Sequence, residues 1–193
     1  MKRLSKRLYL WPVIGGTIAG IILLVIFLIA LLYFLVLAGA LPDHFQNLRG
    51  VGMEALAIGI SLAFLCFAAE IFGLIMGYIL IYRAWEAIQD GHARTTPGKA
   101  VGFLFIPFFN LYWVFVAWYG FAQDYNSYIE RHAVTASKLN KGLYLTYCIL
   151  GICSAIPYLG YLALIPIMVI FIIMVNATIN AVNALPVGLP VEN

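Results

Sequence analysis

Charge is scarce in this chain. Lysine and arginine number 11 and aspartate and glutamate 8, a tenth of the 193 residues. Soluble domains usually carry about a quarter. So few charges cannot coat a water-facing surface, and 64% hydrophobic content with a mean hydropathy of +1.00 points to lipid as the solvent. Cysteine is sparse too: Cys66, Cys148 and Cys153 all lie in apolar segments and none in a loop, which argues against a disulfide framework. His44, His92 and His132 sit in separate loops without metal-ligand spacing, and Cys148-x4-Cys153 is a weak pattern inside an apolar helix. There is no HExxH, no GxSxG, no glycine-rich phosphate loop and no second intramembrane acid. The expectation is a non-enzyme with no metal and no cofactor. Charges thinly spread over loops also give no footing for nucleic acid.

Long apolar runs fill the space that charge leaves. They read as an all-α integral membrane protein, one domain over 1–193, with four membrane helices at about 11–38, 54–82, 105–123 and 142–182. MKRLSKR precedes the first run, and Ala38-Gly39-Ala40 raises the question of a cleaved signal peptide. The apolar core is roughly twice the length of a signal h-region, so an uncleaved span is expected. The third segment, GKAVGFLFIPFFNLYWVFVAWYGFAQ over 98–123, either crosses or re-enters, broken at Pro107, which suits a helix's first turn. Its rings favour the headgroup zone. Pro157 and Pro166 predict a kink or break near IPYLG in the fourth. Four basic residues precede span one, one (Arg49) lies in the first loop, and three lie in each of the next two loops. That bias puts the N-terminus in the cytoplasm and leans toward a third segment that does not cross. Lys2, Arg3, Lys6 and Arg7 are expected to meet anionic headgroups of the bilayer.

Glu70 is the one acid inside a span, about 20 Å of helix from either end of its apolar run. Steps of three and four from it reach Cys66, Ala63 and Gly59 one way, and Gly73 and Gly77 the other. Such a stripe lets another backbone approach closely, and Gly16 and Gly20 in span one are a candidate partner surface. An ionised carboxylate at midplane costs several kcal/mol or more. With no Lys or Arg inside any span, the neutral acid, donating a hydrogen bond across the contact, is the expected form. Asn176, Asn180 and Asn183 form one face of the last helix, as a contact face, an interfacial cap or a polar path. Lys99, Gly102, Pro107 and Asn110 form an elbow at the membrane surface, where Lys99 and Arg94 can hold phosphates and Asn110 can bond backbone freed by Pro107.

Residues 82–126, YRAWEAIQDGHARTTPGKAVGFLFIPFFNLYWVFVAWYGFAQDYN, carry the Pro97–Lys99 turn, the Gly102/Pro107/Asn110 spacing and a closing Asp124-Tyr125-Asn126. This stretch resembles a segment of bacterial multi-span membrane proteins of a domain-of-unknown-function type. The resemblance implies a bacterial inner-membrane protein and supplies no activity. The function expected is association: a subunit, scaffold or accessory factor of a membrane complex, homo-oligomeric or bound to other membrane subunits. The alternative is a small channel or transporter with Glu70 as proton or cation site. A lipid-processing membrane enzyme, or its lipid-binding partner, is the third.

Overall fold

The computed structural model describes residues 4–37, 53–154, 156 and 159–186. Lys2, Arg3, His44, Arg49 and Pro157 lie outside the described residues. Seven α-helices follow in order among the described residues: α1 Lys6–Leu37, α2 Met53–Glu86, α3 Pro97–Gly102, α4 Phe109–Val114, α5 Phe121–Arg131, α6 Lys141–Cys153 and α7 Leu159–Ala184. A 3-10 turn, Phe103–Phe105, follows α3, and a π-helical stretch, Phe115–Gly120, joins α4 to α5. There is no strand among the described residues. Three helical stretches are long and apolar enough to cross a membrane: Lys6–Ala30 with 25 residues, Ile58–Glu86 with 29 and Ile165–Ala184 with 20.

The chain divides into two compact units, Pro12–Leu74 and Met1–Trp11 with Ile75–Asn193. The first is an antiparallel seam between α1 and α2. Pro12 faces Gly73, Gly16 faces Ala69 and Gly73, and Gly20 faces Glu70. The reason is size. A Cβ on Gly73 would stand 2.9 Å from the Pro12 carbonyl oxygen, and one on Gly16 would stand 3.3 Å from that of Ala69. At Gly73 a side chain would force the backbones apart, and at Gly16 it would fit only if they gave by a few tenths of an ångström.

The second unit is built around fully buried Trp85, Phe121, Tyr125 and Tyr144. Here the segment expected as a third span takes a bent path. α3 and its 3-10 turn lead to Ile106, which Pro107 forces into extended backbone (φ −85°, ψ 115°). Phe108 then turns the chain with φ +62°, while the Phe109 N–H donates to the Pro107 carbonyl at 2.7 Å, a tight three-residue turn. Helix resumes at Phe109 and runs unbroken, through the π-helical stretch, to Arg131. Pro107 therefore stands at the corner, two residues before α4, rather than in its first turn.

The apolar run 142–182 is two helices. α6 ends at Cys153 and α7 begins at Leu159. Gly160 packs onto the Ser154 carbonyl so tightly that a Cβ would sit 2.5 Å from its oxygen. α7 returns antiparallel along α6: the Tyr144 hydroxyl meets Thr178 Oγ1 at 2.6 Å, and Gly151 lies beside Ile167.

Candidate functional site

The charged loops of the second unit come together as a clasp. The Asp90 carboxylate is met by Arg131 through Nη2 at 2.7 Å and Nε at 3.1 Å, by His132 Nε2 at 3.1 Å and by the His92 N–H at 3.0 Å. Arg94 grips Asp124 through Nη2, Nε and its own N–H at 2.7–2.8 Å. Asn126 closes two bonds with the Leu139 backbone, Nδ2 to the carbonyl at 2.9 Å and the N–H to Oδ1 at 2.7 Å. The Tyr125 hydroxyl donates to the Ala181 carbonyl, and Asn183 holds both the N–H and the carbonyl of Leu4. The start of α1, the loop after α2, the end of α5, the loop before α6 and the end of α7 thus share one end of this unit.

Burial alone would raise the Asp90 acid, but the donors from Arg131, the His92 backbone and His132 outweigh it and hold it at about 2, against an ordinary 3.8. A carboxyl depressed on folding stabilises the fold above its unfolded value and loses that contribution as pH falls through the folded one. Stability is expected to drop by roughly 2 kcal/mol between about pH 4 and pH 2. Asp90→Asn removes that step from an acid unfolding series.

From the clasp, α3 leads away and the helix Phe109–Arg131 comes back. Tyr78 packs on Phe105 with ring centroids 5.0 Å apart, Trp85 Nε1 donates to the Ala117 carbonyl at 3.0 Å, and Asp90 takes Arg131. The returning limb therefore runs parallel to α2, toward the clasp. Phe103 and Trp113 wedge between the two limbs at 4.7 Å, and Trp113 Nε1 bonds the Ala100 carbonyl. Tyr78 is eight residues before Glu86, so the tip lies about 12 Å of helix below the end of α2. Phe105, Ile106, Phe108 and Tyr112 stand exposed there, Phe108 by 87%.

The expected site residues fall in different places. Gly16, Gly20, Glu70 and Gly73 meet in the α1/α2 seam. Among the described residues nothing lies within 4 Å of a Cβ placed on Gly59, and Gly77 faces Phe171. Ala63 and Cys66 are half-buried on α2. The stripe on span two is thus covered, at Ala69, Glu70 and Gly73, by α1 of the same chain. Glu70 is half-buried and has no hydrogen-bond partner among the described residues. Of the three asparagines, Asn183 bonds Leu4, Asn176 is half-buried and Asn180 is exposed. Lys99 and Gly102 are exposed on α3, where the Lys99 N–H bonds the Thr96 hydroxyl. Arg94 is committed to Asp124 and is not a free phosphate ligand. Among the described residues, the main-chain N–H of Asn110, not its side chain, bonds Ile106 behind Pro107. Trp85, Asp90 and Asn126, to which the sequence assigned no structural role, each tie together elements distant in the chain. No group of three or more metal-ligating side chains occurs among the described residues.

Comparison with protein families, curated proteins and solved structures finds no match.

Proposed function

We propose that this is a multi-span protein of the inner membrane that works by association, as a subunit, scaffold or accessory factor, and that segment 97–131 is its re-entrant contact element. The observation that carries the reading is the pairing of a fastened base with a bare tip. Asp90–Arg131 and Arg94–Asp124 fix both ends of the segment at one end of the second unit, while Phe105, Ile106, Phe108 and Tyr112 stand uncovered at the corner. Holding Phe108 at positive φ costs on the order of 1–3 kcal/mol. A chain that keeps such a corner keeps those side chains in place.

In this reading α1 and α2 cross the bilayer, 97–131 dips in and returns, and α6 and α7 form a hairpin. Ten of the 11 basic residues then share the cytoplasmic side and Arg49 stands alone outside, the strongest bias the sequence permits. Four full crossings would divide them less sharply. Oligomerisation through the small-residue face of α2 is left little room, because α1 of the same chain covers it at Gly73. Contact through the tip takes its place.

The test is a photo-activatable amino acid at position 108, irradiated in native membranes. The expected result is a discrete adduct with a protein, a second copy of this chain or another subunit. Adducts with lipid alone would remove the proposal.

A further inference from the structure

Beyond association, we infer that the α6/α7 hairpin turns round inside the bilayer, so that the second unit enters and leaves by one face and fits a membrane convex on that face. α6 has 13 residues, Lys141–Cys153, and rises only about 20 Å. The hydrocarbon core it would have to cross is about 30 Å thick. Lys141 starts the helix beside the loop 132–140, where Lys138 pairs with Glu130 in solvent, so the end of α6 falls about 10 Å short of the far boundary. α7 is long enough to cross, but its start is tied to the end of α6 by Gly160 against the Ser154 carbonyl. Tyr144–Thr178, Gly151–Ile167 and Ser154–Gly160 are successive meeting points of the two helices. α7 uses more residues between them than α6 does, so its extra length goes into slant rather than depth.

The turn suits that position. From Gly142 to Val191 the chain has no Asp, Glu, Lys, Arg or His, whereas the loops at the clasp carry Asp90, Arg94 and Lys138. Ile156, Leu159, Leu162 and Ile165 stand exposed around the turn, an apolar surface that lipid covers. Backbone in hydrocarbon must satisfy its polar groups without water. The Ser154 N–H bonds the Leu150 carbonyl at 2.8 Å, the Ile156 N–H that of Cys153 at 3.1 Å and the Gly160 N–H that of Ile156 at 3.0 Å. The Ser154 hydroxyl donates to the Gly151 carbonyl at 2.7 Å, and a proline such as Pro157 has no N–H to satisfy. These donors need no water. Segment 97–131 enters by the same face, fastened through Asp90–Arg131 and Arg94–Asp124. The second unit therefore adds more cross-section to the clasp-side leaflet than to the other, and insertion of that kind is curvature-sensitive. The inference rests on the part of the proposed function that sets the clasp at one membrane surface, and it holds whatever Phe108 touches.

Depth is read in the full chain with Cys66, Cys148 and Cys153 replaced by alanine and a bimane on Ser154→Cys. In vesicles of lipids brominated at successive acyl positions, quenching is expected to be several-fold stronger from bromine near the chain ends than near the headgroups. A membrane-impermeant maleimide is expected to reach the free thiol from neither face until detergent is added. Strongest quenching near the headgroups, or labelling from the face opposite the clasp, overturns the inference. Ile156→Cys, which leaves the Ser154 hydroxyl in place, repeats the reading, and labelling of either position from that face is decisive against it. For curvature, a dye on His92→Cys applied from outside marks the molecules of a giant vesicle whose clasp faces outward. When a narrow tube is drawn from the vesicle, their density in the tube is expected to exceed that in the vesicle wall several-fold. An even density refutes the fit to a convex membrane. Neither readout involves an adduct at position 108, so this inference and the association reading fail separately.

Discussion

Gly73→Leu is expected to cost the chain its α1/α2 seam. The Cβ position at 73 is only 2.9 Å from the Pro12 carbonyl oxygen and 3.4 Å from the Gly16 Cα, and both are backbone. Neither can swing aside, so even one methyl group obliges α1 to move as a rod. Forced overpacking of this kind costs about 1–3 kcal/mol, which is the range expected for Gly73→Ala, and a leucine exceeds it. Gly59→Leu, on the same helix, is the internal control, since among the described residues nothing lies within 4 Å of a Cβ placed there. Unfolding in mixed micelles with rising denaturing detergent should rank Gly73→Leu far below Gly59→Leu. Equal stability of the two would mean that α1 and α2 do not meet where described.

Asn126→Leu should be the most damaging single change in the second unit. Asn126 and Leu139 are both buried, and the amide satisfies the Leu139 carbonyl and N–H together. Leucine matches the volume but leaves two buried backbone groups without partners, at about 1–3 kcal/mol each. A loss of about 2–5 kcal/mol is expected, together with release of the loop 132–140 from α5, read as faster proteolysis after Arg131 or Lys138. Asn180→Leu, at an exposed position on α7, should change little by the same measure.

These two sites differ in how far they could be anticipated. The seam was legible because its cause is local: glycines at intervals of four on two apolar runs, with one acid beside them, say that two backbones meet. What the pattern leaves open is whether the partner is the same chain, and here Gly16 and Gly20 fill that place for Glu70 and Gly73. The clasp was not legible. Asp90, Arg94, Asp124 and Arg131 each look like an ordinary solvated charge at the end of an apolar run, and their pairing spans 30 to 41 residues. Asn126 gives a fainter signal, a polar residue directly behind the aromatic run, yet nothing near it in sequence points to Leu139.

The path of 98–123 had two readings for the same reason. Residues 105–122 are apolar enough to cross, and only contacts distant in sequence, Tyr78 with Phe105 at one end and Asp90 with Arg131 at the other, turn the limb back beside α2. Over 142–182 the prolines announced an interruption. The return of α7 along α6 instead depends on the fit of Gly160 against Ser154 and of Tyr144 against Thr178.

The re-entrant path is the centre of this account, and side-specific labelling tests it most directly. Single cysteines replace His92, Ser137 and Phe108 in a chain whose Cys66, Cys148 and Cys153 are alanine, and oriented vesicles receive a membrane-impermeant maleimide. His92 and Ser137 are exposed in the loops at either end of segment 97–131. His92→Cys and Ser137→Cys are expected to react from the same side, the cytoplasmic one, and Phe108→Cys from neither. Reaction of the first two from opposite sides would show that the segment crosses the bilayer and would contradict the account.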